Sequence, residues 1–413
     1  MDPSEELRLC PGGHVPDTVR QDVRDLLKQT PEREPFLPAS EVQFYGATHV
    51  IARALGGDQP PPTHARWSHG WAFYYDVPGI NKAEFAMLAR WNGNDDWLHL
   101  CRNEIEADIY KSAGAHAVVV AGLPFFYLPD LGVKRLPNTV LIMPPHSTWQ
   151  ASVKMSERDL LGLAQKRYPD SQLCVCLTAS CCLRTGWAEA CRELQIPWIS
   201  GSHPYDATSL NRMKHLMSGF EVILTPKLGS HVIYAAASGA RIDFVKDIPF
   251  EIVRESSIGD LTAARRSAAH AHLIEEEKLR LETMLQAGGA DCQAWAMQAG
   301  GAHFRKDPVT VARLLGWTHD KIFPEITESN AHHLETLGWS DHNKDSDLVL
   351  RLDKQVADQK VKIKSAEKQV KTLEKLVLKE KQRLNTLEKS WAWKLVGKHL
   401  HSIERRLRGE APR

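Results

Sequence analysis

TVLIMPPHST at 139–148 begins a series of five short apolar runs that decides the fold of this chain. The other four runs are QLCVCLT (172–178), PWISG (197–201), EVILT (221–225) and RIDFV (241–245). Segments of helical periodicity lie between them, at about 156–168, 184–195, 207–218 and 230–238. Short apolar strands that alternate with helices of this length are typical of βαβ units with right-handed crossovers. The pattern predicts a parallel, doubly wound, Rossmann-like domain over 138–260.

The rest of the chain is organised around this domain. Residues 1–40 are polar and rich in proline and charge, which predicts a flexible N-terminal segment. Residues 41–137 mix strands and helices, beginning with a predicted strand at 42–48 (VQFYGAT), and indicate a smaller α/β domain. A cleft between the two domains would hold a ligand. Residues 261–345 are predicted to form a helical extension.

A heptad pattern over 346–392 predicts a coiled coil. The a positions are Val356, Ile363, Val370, Val377, Leu384 and Trp391, and the d positions are Leu352, Gln359, Ala366, Leu373, Glu380 and Leu387. β-Branched residues at most a positions favour a parallel dimer, so a homo-oligomer is expected. A single solvated helix is the alternative, because two d positions are polar.

Charge is divided unevenly between the body and the tail. Residues 351–413 contain 18 Lys and Arg against 8 Asp and Glu, a net charge of +10, whereas residues 1–350 have a net charge of −9. A basic tail on an acidic body suggests an anionic partner, either a membrane surface or nucleic acid. Residues 393–413 combine tryptophans and aliphatic residues with lysines and arginines, which is the composition of an interfacial helix. We therefore expect an anionic membrane surface and no nucleic acid.

The sequence favours a cytoplasmic body that is peripheral on the inner membrane. No run reaches the roughly 18 apolar residues of a membrane-spanning helix, and MDPSEELRL lacks the basic start and apolar centre of a signal peptide. Cys174, Cys176, Cys181 and Cys182 are crowded together, unlike a disulfide framework. A zinc site is the alternative to buried, reduced cysteines, but the C-x2-C spacing of a zinc knuckle is missing.

Three strand ends of the 138–260 domain carry a histidine with a neighbouring hydroxyl. They are Pro144-Pro145-His146-Ser147-Thr148, Gly201-Ser202-His203-Pro204-Tyr205 and Thr225-Pro226-Lys227-Leu228-Gly229-Ser230-His231. Ligands of open α/β sheets bind at the carboxyl ends of the strands, and these groups suit phosphate or sugar oxygens. At the third end, glycine allows close approach and the following helix offers free N–H groups to an anion. Alternatively, Ser230 is only a helix N-cap and His231 packs locally.

The candidate on the smaller domain is the run Ser68-His69-Gly70-Trp71. Here an imidazole can face the cleft and transfer a proton near neutral pH, while Trp71 can stack on a sugar ring. A buried histidine beside a core tryptophan is the alternative. The sequence has no GxGxxG motif, which disfavours a dinucleotide redox cofactor. Asp95-Asp96 lacks the flanking strand of a metal-binding sugar-nucleotide site, so no metal is assigned.

Residues 41–250 resemble a known family. The segments that carry the resemblance are EIEADIYKSAG (104–114), AVVVAGLPFFYLP (117–129), VLIMPPHST (140–148) and TPKLGSHVIYAAASGA (225–240). They are similar to bacterial glycosyltransferases with two Rossmann-like domains, the GT-B architecture, that build capsular or lipopolysaccharide chains. The resemblance implies a nucleotide-sugar donor on the C-terminal domain, a glycan or lipid-linked acceptor on the 41–137 domain, and no obligatory metal or cofactor.

His203-Pro204 also resembles the His-Pro motif of sialyl- and Kdo-type transferases, in which the imidazole meets the donor phosphate. Their acidic-acidic-glycine motif is absent, so a CMP-activated donor is one possibility among several.

The expected function is a metal-independent glycosyltransferase, inverting or retaining. Donor phosphates are assigned to His203, Thr225, Lys227, Gly229, Ser230 and His231. His69 is the expected base if the reaction inverts, and otherwise positions substrate. The expected cleft-lining residues are Trp71, His146, Ser147 and Tyr205.

The rival functions are a non-catalytic coiled-coil scaffold with a degenerate binding module, and another nucleotide-sugar enzyme such as an epimerase. Convergence of the histidine and serine side chains on one open cleft would favour an enzyme.

Overall fold

The computed structural model describes residues 3–63, 65–80, 97–146, 151–254, 270–317, 377, 379, 381–382 and 391–408. It divides into two compact units, residues 1–344 and residues 345–413. All described strands belong to the first unit. The predicted coiled coil over 346–392 lies almost wholly outside the described residues, and so does 318–345 of the predicted helical extension.

The first unit contains strands, α-helices and short 3-10 helices. The described strands are β1 (Gly13–His14), β2 (Ala65–Trp67), β3 (Leu98–Cys101), β4 (Val118–Val120), β5 (Leu136–Ile142), β6 (Ala151–Lys154), β7 (Gln172–Leu177), β8 (Trp198–Ser200), β9 (Phe220–Thr225), β10 (Arg241–Phe244) and β11 (Glu251–Arg254). Its described α-helices are α1 (Pro3–Leu9), α2 (Gln21–Lys28), α3 (Ala47–Ala54), α4 (Glu104–Ser112), α5 (Glu157–Arg167), α6 (Ala179–Arg184), α7 (Trp187–Glu193), α8 (Ser209–Gly219), α9 (Ser230–Ala237), α10 (Ala271–Ala287), α11 (Ala290–Ala299) and α12 (Pro308–Leu314).

The central sheet has the strand order β1-β8-β7-β5-β9-β10. Neighbours from β8 to β10 are parallel, and β1 pairs with β8 antiparallel at the edge. The chain moves outward from β5 to β7 and β8, and then returns to add β9 and β10 on the other side of β5. Right-handed crossovers place the helices of these two halves on opposite faces. The parallel sheet that the five apolar runs predict is confirmed, and its antiparallel edge strand β1 comes from outside 138–260.

This topology places a ligand site between β5 and β9. The two strands are adjacent, and the chain leaves them toward opposite faces, which opens a crevice at their carboxyl ends. Val140, Leu141 and Ile142 of β5 have no exposed surface, because a central parallel strand is covered on both sides. The crevice therefore has a rigid floor.

A second parallel sheet has the order β2-β3-β4. Trp67 at the end of β2 is 3% exposed, and its indole N–H donates to the carbonyl of Gly122 at 2.8 Å. β6 and β11 form a separate antiparallel pair. Both parallel sheets lie in the one compact unit of residues 1–344. The predicted division at residue 137 into two Rossmann-like domains is not confirmed.

The predicted strand over 42–48 is wrong. Glu41–Gly46 forms a kinked 3-10 helix, and α3 starts at Ala47. Tyr45 and Gly46 have φ values of 61° and 74°, which an extended strand does not accommodate. A Cβ on Gly46 would lie 2.2 Å from the carbonyl oxygen of Ala207, so the backbones meet closely there.

The N-terminal segment is structured, in contrast to the flexible segment predicted for 1–40. β1 adds to the central sheet, and α1 packs on α6. Glu6 is 1% exposed, accepts a hydrogen bond from the Ser180 hydroxyl at 2.6 Å, and pairs with Arg184. Leu7 and Val23 add buried apolar surface. Residues 3–40 thus belong to the folded body.

The described part of the helical extension packs on the central sheet: α10 lies against β10 and α11 against α9. The second unit contains α13 (Trp391–Leu407). Val396, Leu400 and Ile403 are 47%, 62% and 46% exposed on this helix. Among the described helices, none is both long enough and apolar enough to cross a bilayer.

Candidate functional site

A cavity of about 700 Å³ opens at the carboxyl ends of β5, β7, β8 and β9, opposite the loop after β2. It occupies the crevice that the strand order creates. The residues that line it from the central sheet include Met143, Pro144, Pro145, His146, Leu177, Thr178, Gly201, Ser202, Lys227, Gly229, Ser230 and His231. The second sheet contributes Arg66, Ser68, His69, Gly70, Trp71, His99, Leu100 and Glu106. Each sheet thus supplies one wall.

The loop from β9 to α9 forms the basic part of the cavity. The Thr225 hydroxyl lies 3.0 Å from Nε2 of His231 and holds the ring. That ring lies against Gly229, where a Cβ would come within 3.1 Å of Nδ1. Burial, and after it the charges of His146 and Lys227, lowers the pKa of His231 to about 3. His231 is therefore a neutral hydrogen-bonding group, and Lys227 carries the positive charge.

His146, at the end of β5, shares this electrostatic environment. The atoms packed around the cavity, and then the charge of Lys227, lower its pKa to about 4. The side chain is exposed to the cavity, so solvent weakens that effect. Two neutral imidazoles beside one ammonium group form a surface that can hydrogen-bond and partly neutralise an anion.

Helix α9 is attached to the loop after β2 at two points, one turn apart. The Ser230 hydroxyl oxygen accepts the backbone N–H of Trp71 at 2.8 Å, and the Tyr234 hydroxyl donates to the carbonyl of His69 at 2.7 Å. Between them, a Cβ on Gly70 would lie 2.7 Å from the Ser230 hydroxyl oxygen. Ser230 is not the N-cap that the alternative interpretation assumes, since Gly229 holds that position, and the Ser230 hydroxyl instead fixes the distance between the two walls.

His69 and Trp71 both line the cavity, as the sequence predicts, but their surroundings do not favour the roles assigned to them. His69 is partly exposed in the cavity, with its ring near Tyr45, and burial lowers its pKa to about 4. A base with so low a pKa accepts a proton poorly at neutral pH. Trp71 lines the cavity but is 6% exposed, packs against Trp295, and donates its indole N–H to Asp76 at 2.6 Å. Its ring therefore supports the wall and does not offer a face to a sugar.

Three of the residues predicted for the donor site or the cleft do not line the cavity: Thr225, His203 and Tyr205. Thr225 is fully buried and acts through His231. His203 is 5% exposed, and its Nδ1 accepts the backbone N–H of Tyr205 at 3.1 Å. The Ser209 hydroxyl also accepts the backbone N–H of His203 and donates to the backbone carbonyl of His203, which fixes the turn before α8. Gly201 and Ser202 line the cavity in their place, and Ser147 lies outside the described residues.

The cavity wall also contains a carboxyl group, that of Glu106, which the sequence-based predictions do not include. Glu106 is 3% exposed and accepts the Ser68 hydroxyl at 2.8 Å and the backbone N–H of Arg102 at 2.7 Å. Burial raises its pKa, although the charge of Arg102 opposes this. The available signal was the spacing Asn103-x-x-Glu106, which marks a capped helix start, and Asn103 does accept the Glu106 N–H at 3.0 Å.

All eight cysteines are free thiols. Cys174, Cys176 and Cys181 are buried, and burial raises the pKa of Cys176 to about 12. Within the described ranges, no group of three or more histidine, cysteine or acidic residues could hold a metal ion. Cys174, Cys176 and Cys181 therefore pack as small apolar side chains.

No family model matches this chain, and no curated protein matches it in sequence. Two solved structures align with it weakly. S. aureus MnaA, in a co-structure with UDP, is 13% identical over 55% of this chain and 68% of its own, with a TM-score of 0.28. UDP-GlcNAc 2-epimerase from Neisseria meningitidis, bound to UDP-GlcNAc, is 14% identical over 72% and 88%, with a TM-score of 0.29. Similarity at this level does not assign the chain to the family of either protein.

Proposed function

We propose that this chain is a glycosyltransferase that moves a sugar from a nucleotide-sugar donor to a glycan or lipid-linked acceptor of a surface polysaccharide. The observation that carries the proposal is the meeting of two unlike walls in one cavity of about 700 Å³. The central sheet supplies Lys227 and two imidazoles, and the second sheet supplies the Ser68 hydroxyl, the Glu106 carboxyl group, two imidazoles and the Arg66 guanidinium. A reaction between an anionic donor and a neutral hydroxyl needs both kinds of wall.

The donor phosphates are proposed to bind at the β9–α9 loop. Lys227 supplies charge, and the first turn of α9 presents backbone N–H groups and the positive end of its dipole. His146 and His231 can donate hydrogen bonds as neutral imidazoles. The departing nucleotide phosphate would be stabilised by the same groups, so no metal is needed in this scheme.

The acceptor is proposed to bind at the loop after β2. Ser68 and His69 face the cavity there, and the hydrogen bonds from Ser230 and Tyr234 hold this loop close to the donor loop. His69 would position the acceptor, because its lowered pKa does not suit a base.

The scaffold alternative is disfavoured by convergence. His69, His146 and the adjacent pair Ser230 and His231 come from three separate segments and line one open cavity. A degenerate module would not need to bring these polar groups together. The tail fits either function, and we propose that α13 attaches the chain to an anionic membrane surface near a lipid-linked acceptor.

The experiment is a thermal-shift screen of the full chain against nucleoside diphosphates, CMP and their sugar conjugates. A ligand that binds the folded state adds about 2.7 kcal/mol to the free energy of unfolding at a hundredfold excess over Kd, and the Tm rises as a result. Lys227→Ala and His231→Ala should weaken that shift, whereas Lys166→Ala, an exposed lysine on α5, should keep it. No shift with any nucleotide or conjugate would contradict the proposal.

Product analysis by NMR then distinguishes the reactions. Transfer to an added glycan, or slow hydrolysis with water as acceptor, supports a glycosyltransferase. Inversion at a carbon of the bound sugar without loss of the nucleotide indicates an epimerase instead.

A further inference from the structure

Glu106 and Ser68 form a polar pair in the cavity wall that donor binding leaves unused. The Ser68 hydroxyl is partly exposed to the cavity and donates to the buried Glu106 carboxylate at 2.8 Å. The serine oxygen thus has a buried carboxyl group on one side and the cavity on the other. Ser68 is fixed there, since its backbone N–H donates to the carbonyl of Leu100 at 3.2 Å.

Helix capping alone does not account for this carboxylate. The carboxylate accepts the backbone N–H of Arg102, the residue before the N-cap Asn103, and a glutamine amide oxygen would supply this acceptor equally well. The second carboxylate oxygen is bound instead to the cavity-facing hydroxyl of Ser68. The Arg102 guanidinium pairs with Asp76 at 2.7 Å and donates to the carbonyl of Ala299 at 2.5 Å.

We propose, on the basis of the proposed function, that Ser68 and Glu106 are the proton-accepting dyad for the hydroxyl of a sugar acceptor. As the acceptor oxygen bonds to the anomeric carbon of the donor, its proton passes to the Ser68 oxygen. The Ser68 proton passes to the carboxylate of Glu106 in the same step. The bond from the anomeric carbon to the donor phosphate breaks, and its electron pair leaves on the nucleotide phosphate beside Lys227.

Chain geometry brings the dyad and the donor loop within reach of one sugar. Ser68 precedes Trp71 by three residues, so their Cα atoms are at most about 11 Å apart. The Trp71 N–H is bound to Ser230 at the start of α9. A sugar whose phosphate lies on α9 can therefore present its anomeric carbon to an acceptor held at Ser68.

The environment of Glu106 suits a base better than that of His69. Desolvation raises the pKa of Glu106, so its carboxylate holds a proton more strongly than an exposed one does. Desolvation lowers the pKa of His69 to about 4, so its imidazole holds a proton less strongly than an exposed one does. The two groups lie in the same cavity, yet only the carboxylate gains basicity from burial.

The test is turnover of the full chain with the nucleotide sugar that raises its Tm, followed by NMR with water or a glycan as acceptor. Glu106→Gln and Ser68→Ala should each lower kcat about 10²- to 10⁴-fold and keep the nucleotide-induced Tm shift. The double variant should lose little more, because the pair acts as one unit. Glu104→Gln, an exposed carboxylate in the same helical turn, is the matched control and should retain kcat.

A pH profile separates a catalytic from a structural role. The wild-type kcat should fall at low pH as Glu106 is protonated, and Glu106→Gln should lack that limb. If Glu106→Gln does not fold, Ser68→Ala replaces it in this test, because Ser68→Ala leaves the helix cap intact. If either variant folds and its kcat stays within about threefold of the wild-type value, the dyad is wrong but the proposed glycosyltransferase function is not contradicted. A wild type that binds the donor but never turns it over would overturn the dyad too, and a wild type that binds no nucleotide would overturn the proposed function.

Discussion

The hydroxyl oxygen of Ser230 accepts the backbone N–H of Trp71 at 2.8 Å, and through this bond a helix of the central sheet holds a loop of the second sheet. Tyr234, one turn later on the same helix, binds the carbonyl of His69. Gly70 lies between His69 and Trp71 in the sequence, and its missing side chain leaves room for Ser230. The width of the cavity therefore depends on two hydrogen bonds between residues that are 159 and 165 positions apart in the sequence.

The Gly70–Ser230 contact predicts non-additive effects on stability. Gly70→Ala would place a Cβ 2.7 Å from the Ser230 hydroxyl oxygen and should cost about 1–3 kcal/mol. Ser230→Ala should cost about 1 kcal/mol through the lost hydrogen bond. The double variant should cost clearly less than the sum, because the Cβ of residue 230 is 3.8 Å from the new methyl group, an ordinary contact.

Urea denaturation of the four proteins in this cycle gives the coupling energy. If the cost of the double variant equals the sum of the two single-variant costs, the Cβ of residue 70 does not clash with the Ser230 hydroxyl.

The N-terminal helix predicts a second stability effect, at Glu6. Glu6→Ala should lower the free energy of unfolding by about 2 kcal/mol, because the Ser180 hydroxyl and the Arg184 guanidinium lose a buried partner. Glu5→Ala on the same helix is the control, and should change it by less than about 0.5 kcal/mol since Glu5 is exposed. Equal effects of the two variants, measured by urea denaturation, would mean that α1 does not dock on α6.

These two regions show what the sequence could and could not predict. Alternating strands and helices predict the parallel sheet, and the shared edge of its strand ends predicts that His146, Ser230 and His231 meet. Strand-end position does not predict where a side chain points, so His203 was assigned to the donor although its ring binds its own turn. The flexible N-terminus was expected from composition, whereas the partner that orders it, Ser180, lies 174 residues from Glu6.

The Ser68–Glu106 pair illustrates the same difficulty within the site. Its members are 38 residues apart and come from different elements. The local pattern around Glu106 indicates only a helix cap, and a cap is also what the structure contains. The additional contact to a cavity hydroxyl depends on the pairing of β2 with β3, which single-sequence periodicity does not give.

Buried histidines predict a loss of stability in mild acid. Burial lowers the pKa of His231 to about 3 and that of His49 to about 4, from an ordinary value of 6.5. The unfolded chain therefore binds more protons between about pH 4 and pH 6.5, and the free energy of unfolding falls as the pH is lowered through this window. Each such histidine adds a slope of up to about 1.4 kcal/mol per pH unit.

The measurement is urea denaturation at pH 7, 6 and 5. His231→Gln should reduce the slope, since the amide does not titrate. A slope equal to that of the wild type would mean that His231 is accessible to protons in the folded state.

The tail helix predicts binding to anionic membranes. On α13, Val396, Leu400 and Ile403 share one exposed face. Lys398 and Arg405 lie on the helix outside that face, and Arg408 follows its last residue; all three are exposed. An exposed apolar face with basic residues beside it matches the boundary between acyl chains and anionic head groups, and each basic residue near such a surface contributes about 1 kcal/mol.

Sedimentation of the full chain with vesicles measures this. The chain should bind phosphatidylcholine vesicles that contain phosphatidylglycerol, and release them at high salt because screening shortens the range of the attraction. Leu400→Glu should abolish binding by placing a charge on the apolar face, and Lys398→Glu should weaken it about tenfold or more through loss of attraction and added repulsion. Lys166→Glu on the body changes charge equally and should leave binding unchanged. Binding that persists in Leu400→Glu, or that is as strong to pure phosphatidylcholine, would show that α13 does not bind membranes in this way.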